Sequence, residues 1–412
     1  MKRYLRVVLP TAVLLLTGYL SLVSMACTGA RSGQWYRGNT HAHSLWSDGD
    51  AAPEAVVQWY RDHGYDFLSL TDHDVLQRGE RWYRVSEAGP LTRERLGYLR
   101  RTFGPQWIET RRDEEGERMR LKTLAELRER FEVPGAFLLI EGEEISDYCA
   151  GKPLHINVFN PVEHIPIQGG ETIMETVERD LQAINEQAAT TGRNLLAHIN
   201  HTNWRWALTA EELASMQGTH LFEVYNGSTG CNNYGDETHP GMDEVWDIAN
   251  TLRLTRLGLG PLYGVATDDT HNYFAVNPEV HHPGRGWIVV RTPVLETDAV
   301  LDAMRAGEFY ASTGVELLDV QRGRNRYLVE MAVEDGVSYT TRFIGTRMRG
   351  DDPGEPGIVL HETTANPAVY RYDGDELYVR ARVVSIRMQA HPAAGEEAPE
   401  QAWTQPVVLR NR

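Results

Sequence analysis

Five strand-like segments in this chain each end in a histidine or a carboxylate, and that order limits what it can fold into. The run Tyr65-Asp66-Phe67-Leu68-Ser69-Leu70 passes into Thr71-Asp72-His73-Asp74. Phe137-Leu138-Leu139-Ile140 passes into Glu141-Gly142-Glu143-Glu144, and Leu195-Leu196-Ala197 into His198-Ile199-Asn200-His201. Val265-Ala266-Thr267 passes into Asp268-Asp269-Thr270-His271, and Gly38-Asn39-Thr40 into His41-Ala42-His43. Residues i and i+2 of a strand share a face, so His41 and His43 reach one point together, as do Asp269 and His271. Histidines scattered through a core or a surface have no reason to prefer the C-terminal ends of strands. If the strands are parallel, these ends share one rim, where barrel enzymes carry their sites.

Helical segments fall between the strands. Strands are expected near 38–43, 65–71, 136–140, 194–198, 221–225, 262–266 and 286–291, with amphipathic helices at 52–63, 172–191, 209–217, 243–257 and 297–306. Strand and helix in repetition argue for parallel strands with right-handed crossovers. That rhythm over 34–315 suits a closed β/α barrel, with an open doubly wound sheet as the alternative. Residues 78–133 break the rhythm with Arg- and Glu-rich sequence, expected to be a helical insertion overhanging the site. From 316 to 412 short alternating runs separated by turns such as Tyr372-Asp373-Gly374-Asp375 predict a small all-β C-terminal domain.

The first residues are of another kind. Lys2, Arg3 and Arg6 precede an uncharged apolar run from Val7 to Ala26, and Ser24-Met25-Ala26-Cys27 loosely matches a lipoprotein processing site. Residues 1–27 are therefore expected to be an export or lipoprotein signal, placing the protein in the periplasm or on a membrane through a lipid on Cys27. Loss of residues 1–26 removes three cations and no acid, moving the formal charge from −17 to −20. So acidic a chain repels nucleic acid at long range, and no nucleic-acid partner is expected.

Histidine and carboxylate without thiolate suit Zn, Mn or Fe. The supply of ligands exceeds the need of one ion, so two or three divalent ions are expected, able to activate water at neutral pH. No Gly-x-Ser-x-Gly elbow and no P-loop is present, so neither a serine nucleophile nor a nucleotide cradle is indicated.

Together the pieces Thr40-His41-Ala42-His43-Ser44, Ser47-Asp48-Gly49, Leu70-Thr71-Asp72-His73, Gly142-Glu143-Glu144 and Asp269-Thr270-His271 resemble the PHP (polymerase and histidinol phosphatase) family. Phe309-Tyr310-Ala311-Ser312-Thr313-Gly314 resembles a segment that closes this domain in exported members. The resemblance implies a distorted seven-stranded β/α barrel of the TIM-like kind around a di- or trinuclear metal centre. It implies metal ligation by His41, His43, Asp48, His73, Glu144, His155, His201, Asp269 and His271. Catalytic roles fall to His201, Asp48 and Glu144, with attack by a metal-bridging hydroxide. Asp72, His198, Asn203, Trp204 and Glu223 are expected to support the ligands or wall the pocket, the last by holding a ligating histidine. Asn200-His201-Thr202-Asn203-Trp204 and the export signal resemble the CehA/McbA-type branch, which includes carbamate- and ester-hydrolysing enzymes. A phosphoesterase is the first expectation, a carboxyl or carbamate ester hydrolase the alternative, and a non-catalytic binding or scaffold protein the third. Trp206, Tyr225 and Tyr234 are further candidates for an apolar wall.

Overall fold

The computed structural model describes residues 33–393 and 397–409. The expected signal and Cys27 lie outside them. Among the described residues no helix is long and apolar enough to cross a membrane.

The molecule is mixed α/β, organised on one large sheet. Its leading strands are β1 (Gln34–Asn39), β2 (Phe67–Leu70), β3 (Leu138–Cys149), β4 (Lys152–Phe159), β5 (Leu196–Ile199), β6 (Leu221–Asn226), β7 (Tyr263–Thr267), β8 (Trp287–Thr292) and β9 (Phe309–Ser312). They are hydrogen-bonded in the order β7-β6-β5-β4-β3-β2-β1-β8-β9. The pairs β1/β2, β2/β3, β5/β6 and β6/β7 are parallel, whereas β4 runs against both β3 and β5, and β8 against β1 and β9.

This corrects the expectation of parallel strands throughout, and the expected distorted seven-stranded β/α barrel of the TIM-like kind is not shown: among the described residues the large sheet is mixed. Strand β4 had no counterpart in the sequence reading, and it turns the chain back across the sheet. Because both its neighbours oppose it, β3 and β5 still point the same way, so the C-terminal ends of β1, β2, β3, β5, β6 and β7 share a rim. There the segment after β1 meets the segment after β7: the His43 amide donates to Thr270 O (2.9 Å) and the Asp269 amide to His41 O (3.0 Å). Elsewhere among the described residues β1 and β7 share no ladder.

Helices connect the strands where the periodicity places them. Helix α1 (Pro53–Asp62) begins on a proline, whose fixed φ suits a first turn, and carries Glu54 near its N-terminus. It buries Val56, Val57 and Tyr60, each worth about 1.5–3 kcal/mol in apolar burial. The helix Ile173–Thr191 is capped by the Thr172 hydroxyl and stops at Gly192 in a left-handed conformation.

The insertion is only partly helical. It holds α2 (Arg93–Phe103), a second helix at Leu124–Phe131 and a small antiparallel sheet of Trp82–Arg84, Gly116–Arg120 and Thr110–Asp113. The C-terminal part is all-β, and it is continuous with the large sheet: Pro399–Thr404 pairs with β9 and with Glu376–Met388, which pairs in turn with Tyr339–Arg349. Leu317–Arg322, Arg326–Met331 and Ala368–Arg371 form a separate three-stranded sheet.

Candidate metal centre

The rim gathers the expected side chains around Glu144, which is fully buried in β3. Its Oε2 lies 3.3 Å from His41 Nε2, 3.3 Å from His43 Nε2 and 3.0 Å from His73 Nδ1. Its Oε1 lies 3.0 Å from His155 Nδ1 and 3.5 Å from His201 Nε2, and accepts from Asn200 Nδ2 at 2.7 Å. His155 reaches the rim because β4 runs backward, which puts the first half of that strand beside the last half of its neighbours. Asp269 Oδ1 lies 3.2 Å from His41 Nε2 and 3.1 Å from His43 Nε2. At the mouth, half-exposed Asp48 places Oδ2 3.6 Å from His73 Nε2 and 3.4 Å from His271 Nε2. The structure thus brings all nine expected ligands into one cluster.

Three sets have ligand atoms close enough for one ion each: His41, His43 and Glu144; His73, Glu144 and His155; and His43, Asp48, His73 and His271. The sets share His43, His73 and Glu144, so the positions adjoin. His41 Nε2, Glu144 Oε2, His155 Nε2 and His201 Nδ1 are buried without a hydrogen-bond partner. Orphaned buried polar atoms are costly, and here they are nitrogen and carboxylate donors of the kind that ligate divalent Zn, Mn or Fe. The residues present fit a metal centre.

The electrostatics agree. Burial alone would depress His41, but Asp269, Glu144 and Glu223 hold its pKa well above the ordinary value. Burial acts likewise on His73, and Glu144 and Asp48 outweigh it, raising the group to about 11. Burial presses His43 down to about 3, with His271 and His73 adding repulsion. Glu144 resists its own burial because the histidines around it keep it ionised. The raised His41 and His73 thus offset the buried carboxylates, a role that a bound cation would take over.

The supporting residues divide by task. Glu223, fully buried in β6, accepts from His41 Nδ1 (2.7 Å), the His201 amide (2.6 Å), Asn226 Nδ2 (2.8 Å) and Thr267 Oγ1 (2.6 Å). It fixes the His41 proton on Nδ1 and leaves Nε2 facing the cluster. Asp72 accepts from the amides and hydroxyls of Ser44 and Ser47, shaping the turn that carries Asp48. Gly49 closes that turn: a Cβ there would sit 2.7 Å from the His43 backbone. His198 lies inside β5, with Nε2 3.4 Å from Thr40 Oγ1 and burial lowering it to about 4. Asn203 ties its loop to the carbonyls of Asn232 and Pro240.

A pocket of about 560 Å³ opens over the cluster. Tyr148 and Trp204 are its aromatic lining, joined by Ser228, Thr229, Cys231 and His281, and no Arg or Lys is among its described lining residues. Trp204 packs edge-on against His201 and His155. Of the other aromatic candidates, Trp206 stacks on His239, Tyr225 is buried against Trp403 and Tyr234 lies outside the lining, so none walls the pocket. The insertion contributes no lining residue either, contrary to the expected overhang. Ser146, Asn200, Tyr148 and His281 were missed. Ser146 and Tyr148 follow Glu144 at alternate positions on β3, a period-2 signal the sequence did carry. His281 sits in an irregular loop, bonded to Ser228 Oγ, with no pattern to mark it.

No protein-family model matches the chain, and no curated protein matches it. Among solved structures, a two-domain protein from Bacteroides vulgatus containing a predicted PHP-like metal-dependent phosphoesterase is similar at 15% identity, over 90% of this chain and 95% of that one, with a TM-score of 0.42. A Bifidobacterium adolescentis protein carrying the provisional description of metal-dependent phosphoesterase is similar at 14% identity, over 57% of this chain and 87% of that one, with a TM-score of 0.30. At such TM-scores neither likeness bears on function.

Proposed function

We propose that this protein is a metal-dependent hydrolase of the PHP type, acting on a small phosphate ester with two or three divalent ions. The observation that carries the reading is the overlap of three ligand sets on His43, His73 and Glu144, with buried donor atoms left unpaired. When bound, such ions supply Lewis acidity and activate water at neutral pH. The chain's own groups do the rest. Glu144 holds adjoining positions together through two carboxylate oxygens, Glu223 orients His41, and Asp48 guards the mouth. His201, 3.5 Å from Glu144 Oε1 through Nε2 and packed against Trp204, would serve as a further nitrogen ligand. Several adjoining cations suit a phosphate group, whose non-bridging oxygens need more than one counter-charge.

A carboxyl or carbamate ester is the second reading, favoured by the Tyr148 and Trp204 walls and by a lining without Arg or Lys. A scaffold role is disfavoured by a ligand set with no missing member. In our reading the N-terminal segment exports the protein, with Cys27 as its lipid attachment point.

The test is metal content of the purified protein by elemental analysis, with turnover of p-nitrophenyl phosphate and p-nitrophenyl acetate in parallel. Two or more ions and phosphate release are expected, and both are expected to be lost in His43→Ala and Glu144→Ala. Acetate cleavage alone would move the protein to the second reading, and absence of metal and of turnover would overturn both.

A further inference from the structure

Asp48 is the most exposed member of the cluster, and its position depends on a turn, not a strand. On the inner side Asp72 holds that turn through Ser44 and Ser47. On the outer side Asp50 ties it to the segment that carries His271: the Asp50 amide donates to His271 O (2.7 Å), and Asp50 Oδ1 accepts from the Tyr273 amide (2.8 Å). One side chain of the insertion closes this arrangement. Arg95, on α2, donates through Nη1 to Asp50 O (3.1 Å) and through Nη2 to Asp50 Oδ2 (3.2 Å), while Nη1 also reaches Pro90 O (2.7 Å). Its guanidinium lies 4.1 Å from the Phe274 ring centre, three residues beyond His271.

We propose that Arg95 is a positioning residue for the outermost metal position, the one formed by His43, Asp48, His73 and His271, and that the insertion serves the site from behind. This rests on the metal-centre reading above. The argument is geometric. The planar, forked guanidinium holds a backbone carbonyl and a carboxylate of one residue through two separate nitrogens in a fixed geometry. That residue is bonded to the His271 segment and lies two positions from Asp48, so Arg95 couples two ligands contributed by separate loops. The inner sets are drawn from β3, β4 and the segments that follow β1 and β2, and Arg95 hydrogen-bonds none of their residues. The groove of about 970 Å³ between α1 and α2 lies on the far side of the same turn, lined by Asp50, Arg95 and Tyr273 and by none of the nine ligands. The insertion therefore acts through the turn, not by covering the pocket.

The experiment is equilibrium dialysis of the full chain against Mn²⁺ with elemental analysis, for wild type, Arg95→Ala and Arg95→Gln. Thermal melts of the metal-free proteins run alongside. Arg100→Ala serves as control, because Arg100 bonds Thr110 and Glu117 within the insertion. Loss of a supporting partner typically costs a metal site 10–100-fold in affinity. About a 10-fold weakening of the last ion to bind is expected in both Arg95 variants, with the tighter ions, the metal-free melt and the control unchanged. Arg95 variants whose Mn²⁺ affinities all match wild type would overturn the proposal, as would equal weakening of every ion together with a lowered melt. Wild-type protein that binds no Mn²⁺ would instead overturn the metal-centre reading itself.

Discussion

Replacing Glu223 by glutamine keeps the size and shape of the side chain and removes half of its capacity to accept. In the native protein all four donors around the carboxylate are satisfied, two on each oxygen. The amide oxygen of the variant can keep the His201 amide and Asn226. Its NH₂ then faces Thr267 Oγ1, whose hydroxyl can rotate to accept, and His41 Nδ1, which can accept only by giving up its proton. The imidazole then carries the proton on Nε2, the atom aimed at Glu144 and Asp269, where it blocks ligation. A hydrogen bond to a charged group is worth about 1.5–3 kcal/mol, and 1.4 kcal/mol is a factor of ten in affinity. Any ion held by His41, His43 and Glu144 is therefore expected to bind about 10- to 100-fold more weakly in Glu223→Gln, with the protein still folded. Equilibrium dialysis against Mn²⁺ measures the affinity, and turnover at saturating Mn²⁺ separates lost occupancy from lost chemistry. Affinities within a factor of two of wild type would refute the tautomer argument and leave Glu223 as packing.

Two further perturbations probe the frame around the site. Glu54 is fully buried in α1, and burial raises it to about 7. A carboxylate with a raised folded pKa favours the folded state at pH below its unfolded value near 4.5, and that advantage is lost as pH rises through 7. Glu54→Gln is thus expected to melt with wild type at pH 4 and above it at pH 8, by an amount on the order of 2–3 kcal/mol; parallel melting curves at both pH values would contradict this. Gly49→Ala forces a Cβ against the His43 backbone, so the Asp48 turn must move. A stability loss of about 1–3 kcal/mol and at least about a 10-fold fall in turnover are expected, checked by denaturant unfolding and kinetics.

Much of the site was legible because its chemistry sits where strands stop, and strand ends are marked by composition. His73, Glu144 and Asp269 follow apolar runs that only a buried strand explains. The direction of β4 was not legible. It is set by a two-residue hairpin at Ala150-Gly151, both with positive φ (50° and 77°), the geometry that favours Asn-Gly or Asp-Gly. With alanine at the first position the usual turn signal is missing, so β3 and β4 do not read as a hairpin, and His155 is expected at the site through the family resemblance alone. The small sheet in the insertion escaped for another reason. Its strands, Trp82–Arg84, Thr110–Asp113 and Gly116–Arg120, bury only Met119, so no apolar alternation marks them. The supporting role of Asp50 depends on loops meeting across the rim, which no local pattern records.

The way the large sheet is assembled has a consequence for how the protein is made. Strand β1 is made well before its antiparallel partner β8, which follows β7, and the strand that covers β9, Pro399–Thr404, comes later still. A growing chain therefore carries open strand edges until β8 and Pro399–Thr404 have been made, and unpaired edges recruit other strands. Chains terminated before Pro399–Thr404 should be found as aggregates or bound to chaperones, and the yield of soluble protein should depend on that strand as strongly as on β1.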